Sequence, residues 1–203
     1  MSGWQTHTGK AVALPLAGVD TDQLIPARFM SRPRDAGYGD YLLHDLRHDG
    51  DRKKPDFPLN RAEAQGASIL VARRNFGGGS SREAAVYALA DAGFRVVVAP
   101  SFGDIFAGNA VNNGLLPARV SPEDGDALLA ALESGPQEAT ADLHARTISL
   151  CGITAEFTLD DAQVEKLVNG WDDIDVTRQH AEAIAAHRAA LAADRPWLWP
   201  RQD

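Results

Sequence analysis

Ser80, Ser81 and Arg82 are the residues of this chain whose types and spacing best suit chemistry on a small anion. They follow three consecutive glycines in residues 69–83, which read ILVARRNFGGGSSRE. An apolar strand that breaks at glycine and restarts as a helix leaves N–H groups unpaired at the helix start, where they attract a carboxylate or a phosphate. Two hydroxyls and a guanidinium at that point predict an anion or substrate site.

The same residues also fit a purely structural interpretation. Ser80-Ser81-Arg82-Glu83 matches a capping box, in which the serine hydroxyl accepts a bond from the N–H three residues on and the glutamate reaches back. Ser80 would then only begin a helix. Three adjacent glycines nevertheless cost backbone entropy and are typical of a tight turn or a close approach. Both interpretations stay open at this point.

Other glycine motifs do not fit this segment. A P-loop needs a Gly-Lys-Ser/Thr ending, which is absent. A dinucleotide fingerprint and a nucleophile elbow each need a glycine at the position that Arg82 occupies. The pattern therefore argues against nucleotide binding and against ordinary esterase chemistry.

Length, composition and charge predict a soluble single domain. The 203 residues are 44% hydrophobic, which is enough to build a core. The formal net charge of -8 argues against nucleic acid and against an anionic membrane surface as partners. No apolar stretch approaches the length of a spanning helix, and the first residues lack a signal-peptide pattern. We expect a cytoplasmic protein that binds neither nucleic acid nor membrane.

Potential metal ligands are scarce in the sequence. The one cysteine, Cys151, cannot form an intrachain disulfide or hold an iron–sulfur cluster by itself. Among six histidines, only His44 and His48 have the i, i+4 spacing of one helix face, and further ligands are not evident. A solvated helix face is the preferred interpretation of that pair. We expect no metal ligands in this chain, so that any cluster must come from another polypeptide.

Apolar runs and helical segments alternate in a pattern typical of an α/β fold. The sequence predicts strands at residues 11–16, 68–72, 96–99 and 115–120, and helices at 84–92, 104–112 and 124–132. This order indicates a partly parallel sheet with packed helices. Shorter, polar-alternating strands at 139–143, 147–150 and 154–159 indicate antiparallel hairpins.

Two further regions complete the predicted single domain over residues 1–203. Residues 31–58 are rich in charge, glycine and proline, which predicts mostly loop with a short helix at 40–46. Residues 160–203 form a helical C-terminal extension, with helices expected at 160–169 and 175–193.

Four blocks of the sequence resemble one protein family. They are residues 19–26 (VDTDQLIP), 75–83 (NFGGGSSRE), 99–106 (APSFGDIF) and 109–117 (NAVNNGLLP). In this order they strongly resemble the small subunits of 3-isopropylmalate dehydratase, the separate-chain equivalent of the mobile C-terminal domain of aconitase. The resemblance implies a swivelling β/β/α domain of aconitase type.

The resemblance also implies a partner, a cofactor and a reaction. The partner is a large subunit that carries a [4Fe–4S] cluster with an open iron site. Together the two subunits would interconvert 2-isopropylmalate and 3-isopropylmalate, which are small dicarboxylate hydroxy acids, through isopropylmaleate in leucine biosynthesis. The lack of cluster cysteines in this chain agrees with that division of labour.

The resemblance implies roles for individual residues. Ser80 matches the catalytic serine whose deprotonated oxygen removes a proton next to a carboxylate. Ser81, Arg82 and Gly79 match the part of the family motif that binds the substrate carboxylate, and Asp22 matches an active-site acid. Asp20 is left as a structural residue, because aspartate in a turn commonly bonds its own backbone. Substrate choice is expected to depend on the loop within residues 31–58, near 31–39.

Two departures from the family pattern leave alternatives open. Gly78 stands where the family usually has cysteine, and Ala84 where it usually has histidine. These changes keep open a related dehydratase that acts on methylmalate or a dimethylmalate. A non-catalytic anion-binding module is the alternative from another class, since a glycine turn and a helix start suffice for it.

Overall fold

A computed structural model describes residues 2–199 of the chain, apart from the side chain of Arg34. The strands in these residues are β1 (Thr6–Leu14), β2 (His48–Asp49), β3 (Arg52–Lys53), β4 (Ala67–Ala72), β5 (Val96–Ala99), β6 (Leu116–Arg119), β7 (Gln137–Asp142), β8 (Thr147–Leu150) and β9 (Ile153–Glu156). The α-helices are α1 (Thr21–Leu24), α2 (His44–Arg47), α3 (Glu83–Asp91), α4 (Asp104–Asn112), α5 (Pro122–Ala131), α6 (Asp161–Asn169), α7 (Asp173–Arg178) and α8 (Ala181–Asp194).

Seven of the strands form one mixed sheet in the order β6-β5-β4-β1-β7-β8-β9. The pairs β1–β4, β4–β5 and β5–β6 are parallel. The pairs β1–β7, β7–β8 and β8–β9 are antiparallel, and the last two are joined by tight turns. The α/β class with a partly parallel sheet, packed helices and antiparallel hairpins is therefore confirmed.

Both faces of the sheet are buried, and strand β4 shows how its sequence achieves this. Leu70 and Ala72 lie in one core cluster together with Leu89 of α3. Ile69 and Val71 lie in a second cluster. Successive side chains of a strand point to opposite faces, so an uninterrupted apolar run is what a strand covered on both sides requires.

Two predicted elements differ from the observed ones. Strand β1 begins at Thr6 instead of residue 11, because its polar first half pairs with β7 at an exposed part of the sheet. The long helix predicted at 175–193 is two helices, α7 and α8. Helix α7 begins early because the Asp172 carboxylate accepts bonds from the N–H groups of Ile174 and Asp175. No glycine or proline marks the break at Gln179 and His180.

The segment predicted as loop at residues 31–58 contains little regular structure. It holds the one-turn helix α2, short 3-10 turns at Arg34–Ala36 and Gly39–Tyr41, and the two-stranded ladder of β2 and β3. In the C-terminal extension the last α-helix ends at Asp194 and a 3-10 turn follows at Pro196–Leu198, and residues 200–203 lie outside the described residues. Among residues 2–199, no helix combines the length and apolar character needed to cross a bilayer.

Parallel strands bring three loops to one edge of the sheet. These loops follow β1, β4 and β5, whose carboxyl ends point the same way. The N–H of Phe76, in the loop after β4, donates to the Ser101 carbonyl at 3.0 Å in the loop after β5. The N–H of Gly77 donates to the Val19 carbonyl at 2.7 Å in the loop after β1. Residues 76–80, the glycine segment, are therefore held from both sides.

Gly77 fits this position for two separate reasons. Its φ of +72° lies in the left-handed region, and a Cβ on it would overlap the buried ring of Phe106 in α4. Gly103 lies just as close on the other side, since a Cβ there would be 2.5 Å from the Gly77 carbonyl oxygen. The glycine segment thus lies directly on the start of α4.

We predict that Gly77→Ala destabilises the folded chain by about 2 to 4 kcal/mol. Alanine is strained at the positive φ of this position, and its Cβ would overlap the Phe106 ring. Urea unfolding of the isolated chain measures this loss. Gly108→Ala is the matched control in α4, where nothing lies within 4 Å of the added Cβ. Alanine there should stabilise the helix by about 0.5 to 1 kcal/mol. Equal midpoints for Gly77→Ala and the wild type would contradict the packing of the glycine segment on Phe106.

Candidate active site

Ser80 and Ser81 lie on the surface between β4 and α3. Both residues are exposed, whereas Arg82 is partly buried. Their N–H groups make no hydrogen bond to any other residue within the described chain. Hydroxyls and unpaired backbone donors therefore face outward together, as an anion or substrate site requires.

The capping-box interpretation of Ser80 is wrong. Helix α3 begins at Glu83, its N-cap is Arg82, and no side chain caps it. The Glu83 carboxylate accepts instead from the Asn113 side-chain amide at 2.8 Å, at the end of α4. Residues 80–82 are not helical, and Ser80 lies two residues before the N-cap. The serine hydroxyl is thus not committed to the helix.

The loop after β1 contains the two aspartates singled out in the sequence. Asp20 is the N-cap of α1: its carboxylate accepts from the Gln23 N–H at 2.7 Å, and the Gln23 side chain accepts from the Asp20 N–H at 3.1 Å. This reciprocal capping box explains Asp20 as a structural residue, as predicted. Asp22, two residues on, points outward with its side chain 54% exposed.

Asp22 and Arg82 form an ion pair between the loops after β1 and β4. The Arg82 side chain is only 21% exposed, and its Nη1 is inaccessible to solvent. Nη1 lies against Asp22 Oδ1 without the geometry of a hydrogen bond, so the contact is electrostatic rather than directed. Two of the predicted site residues from separate loops are therefore in contact. The guanidinium is held in place and can present its other donors to a carboxylate.

Gly79 and Gly78 have different structural roles. Gly79 has a φ of +93°, and a Cβ on it would make only ordinary contacts of 3.5 Å with Asp20 and Thr21. Its backbone conformation, rather than lack of space, explains the glycine. Gly78 has an ordinary φ, and a Cβ there would lie 3.2 Å from the Asn75 side-chain oxygen. The backbone at Gly78 would therefore allow the family's usual cysteine if Asn75 shifted slightly.

Thr21 is the residue of this site that sequence reasoning missed. It is 1% exposed, and its hydroxyl donates to the Ser80 carbonyl at 2.9 Å. The position of Thr21 between the two aspartates was the one local signal, because the pairing of residues 59 positions apart is a tertiary contact.

Ser80, Ser81 and Asp22 of the candidate site lie exposed at the surface. Five cavities of 330–760 Å³ in the described part of the chain lie elsewhere. The largest of these, of about 760 Å³, is lined by Phe102 but by none of Ser80, Ser81, Arg82 and Asp22. In the isolated chain Ser80 and Ser81 are therefore open to water.

The side chains of the described residues do not fit a metal centre. No group of three or more His, Cys, Asp or Glu residues is placed to hold an ion within residues 2–199. Cys151 is exposed and has a φ of +49° in the turn between β8 and β9, on the far edge of the sheet. The rings of His44 and His48 stack at 4.3 Å, and His48 Nδ1 donates to the His44 carbonyl at 3.0 Å.

Arg28, which follows the block at residues 19–26, is held by contacts with Asp45 and Phe29. Arg28 Nη1 donates to Asp45 Oδ2 at 2.9 Å, and its guanidinium lies 4.5 Å from the centre of the Phe29 ring. The hydrogen bond from Arg28 holds the pKa of Asp45 at about 2, below its usual range. Arg28 is therefore engaged with α2.

Comparison with known proteins identifies the family of the chain. The family model of the aconitase C-terminal domain matches residues 1–123. A relative from Shouchella clausii (strain KSM-K16), named 3-isopropylmalate dehydratase small subunit, is 47% identical over 190 residues, covering 93% of this chain and 96% of that one. The crystal structure of 3-isopropylmalate dehydratase from Methanocaldococcus jannaschii has the same fold, with a TM-score of 0.67 at 22% identity over 90% of this chain and 99% of that one. The chain therefore belongs to the family of 3-isopropylmalate dehydratase small subunits.

Proposed function

We propose that this chain is the small subunit of a two-chain hydro-lyase that interconverts 2-isopropylmalate and 3-isopropylmalate in leucine biosynthesis. The observation that carries the proposal is the exposed serine pair with unpaired N–H groups beside a fixed guanidinium. These groups suit a hydroxy acid with two carboxylates, because each carboxylate needs several donors.

Ser80 is the proposed base that removes the proton from the carbon next to a substrate carboxylate. A serine is a weak base unless its anion is strongly stabilised. The unpaired N–H of Ser81 can donate a hydrogen bond to such an anion, and the positive charge of Arg82, two residues on, favours it electrostatically. The hydroxyl makes no structural hydrogen bond that would have to be broken first among the described residues.

Arg82, Ser81 and the backbone at Gly79 are the proposed binders of the substrate carboxylate. The planar guanidinium can donate two parallel bonds to a carboxylate. Asp22 orients that guanidinium from the neighbouring loop. As charge builds on the carboxylate during proton removal, these preorganised donors stabilise it more than they stabilise the ground state.

The large subunit is the proposed holder of a [4Fe–4S] cluster and the proposed cover of the site. This chain has one cysteine, on the far edge of the sheet, so its own side chains do not fit a cluster. A partner-held cluster would supply a Lewis acid for the leaving hydroxyl. The residues of this chain bind and orient the carboxylate, remove the proton and, once covered, exclude water.

The direct test is an anaerobic assay of the purified pair and of each subunit alone. Turnover of isopropylmalate by the pair only is the expected result. Preference for methylmalate or a dimethylmalate would instead assign the chain to a related dehydratase. If cluster-loaded pairs bind malate-type dicarboxylates but turn none of them over, the chain would instead be a non-catalytic anion-binding module.

Ser80→Ala should lower kcat of the assembled enzyme by about 10²- to 10⁴-fold, because it removes the base. Assembly, followed by gel filtration of the pair, should be unchanged because the substitution removes one hydroxyl that makes no hydrogen bond among the described residues. Ser134→Ala, at another exposed serine, is the control and should have wild-type kcat. Near-normal turnover by Ser80→Ala would rule out Ser80 as the base.

Arg82→Lys should raise KM by about 10- to 100-fold, which corresponds to the loss of one charge-assisted hydrogen bond of about 1.5–3 kcal/mol. Steady-state kinetics of the reconstituted pair measure it. Arg178→Lys, an exposed arginine on α7, should leave KM unchanged. A wild-type KM in Arg82→Lys would refute the role of Arg82 in carboxylate binding.

A further inference from the structure

Thr21 is the one buried polar residue in the described part of the chain, with 1% of its surface exposed. Burying a hydroxyl is costly unless it forms a hydrogen bond. Valine has nearly the same shape and would fill the same space without that cost. The presence of threonine rather than valine at this position therefore has to be explained by the hydrogen bonds of its hydroxyl.

Both hydrogen-bond donors of Thr21 bind the loop after β4. Its hydroxyl donates to the Ser80 carbonyl at 2.9 Å, and its N–H donates to the Gly78 carbonyl at 2.9 Å. The Ser80 carbonyl also accepts from the Arg82 N–H at 2.8 Å. The carbonyl between the two serines is thus held by one local bond and by one bond from a separate loop.

The direction of this carbonyl fixes the direction of the next N–H. In a trans peptide, the C=O of Ser80 and the N–H of Ser81 point in opposite directions. Because the carbonyl turns toward the buried Thr21, the Ser81 N–H turns away from it, and it meets no acceptor among the described residues. The Thr21 hydroxyl therefore sets how the Ser80–Ser81 peptide is presented at the surface.

We propose that Thr21 is a positioning residue for the dehydratase reaction and acts through the Ser80–Ser81 peptide. This inference rests on the proposed function. Its hydroxyl holds the peptide so that the Ser80 side chain and the Ser81 N–H are ready when the large subunit covers them. Small displacements of such groups cost large factors in rate.

The test compares Thr21→Val with Thr21→Ser in the assembled, cluster-loaded enzyme. Thr21→Val removes the donor while keeping the shape, and we expect kcat to fall about 10- to 100-fold. Thr21→Ser keeps the hydroxyl and should recover kcat to within about threefold of wild type. A Thr21→Val enzyme with wild-type kcat, or a Thr21→Ser enzyme as slow as Thr21→Val, would overturn the proposal.

A second measurement separates positioning from general stability. In a Ser80→Ala background, Thr21→Val should cause a smaller further loss of kcat than in the wild type, because the part of its effect that acts through the Ser80 side chain is already gone. A full additional loss in that background would show that Thr21 acts elsewhere, and would overturn the proposal.

Amide hydrogen exchange on the free small subunit tests the same hydrogen bond without catalysis. Thr21→Val should speed exchange at the Arg82 N–H, which shares the Ser80 carbonyl, and leave exchange in β5 unchanged. Unchanged exchange at Arg82 would overturn the inference even if the variant assembles poorly. An inactive wild-type pair with altered exchange in Thr21→Val would refute the proposed function and leave the structural contact in place.

Discussion

The hydrogen bonds that join the loops after β1, β4 and β5 are the constraint on which the candidate site depends. Parallel pairing brings the carboxyl ends of these strands to one edge, but it does not fix the loops that follow. The bonds from Gly77 to Val19, from Phe76 to Ser101 and from Thr21 to Ser80 do so. Each crosses between segments far apart in sequence, so the site exists only in the folded chain.

These bonds also explain why the segment is rich in glycine. Gly77 lies against an aromatic ring and in a left-handed conformation, and Gly103 packs on its carbonyl. Close approach of backbones leaves no room for side chains beneath the loop, so the polar side chains of Ser80 and Ser81 point outward. A rigid base with an exposed polar surface is what a site completed by a second subunit needs.

Much of this could be predicted from sequence, because the signals were local. The apolar runs at Ala67–Ala72 and Val96–Ala99 give buried parallel strands, and Ser121 before Pro122 gives a helix start that the structure confirms. The grouping of Asp22 with Arg82 followed from the family resemblance, and the ion pair between them is observed. What failed depended on tertiary contacts. The polar start of β1 is a strand only because β7 lies beside it. Helix α3 begins at Glu83 instead of after Ser80, whose carbonyl binds Thr21 in a separate loop.

The open position of Ser80 gives the account its central claim, that a partner surface covers this residue and completes the site. Hydrogen exchange at residues 78–82, compared between the free chain and its complex with the large subunit, tests that claim most directly. The account predicts fast exchange at Ser80 and Ser81 in the free chain, where their N–H groups are unpaired, and strong protection in the complex. Equally fast exchange in a fully formed complex would contradict it.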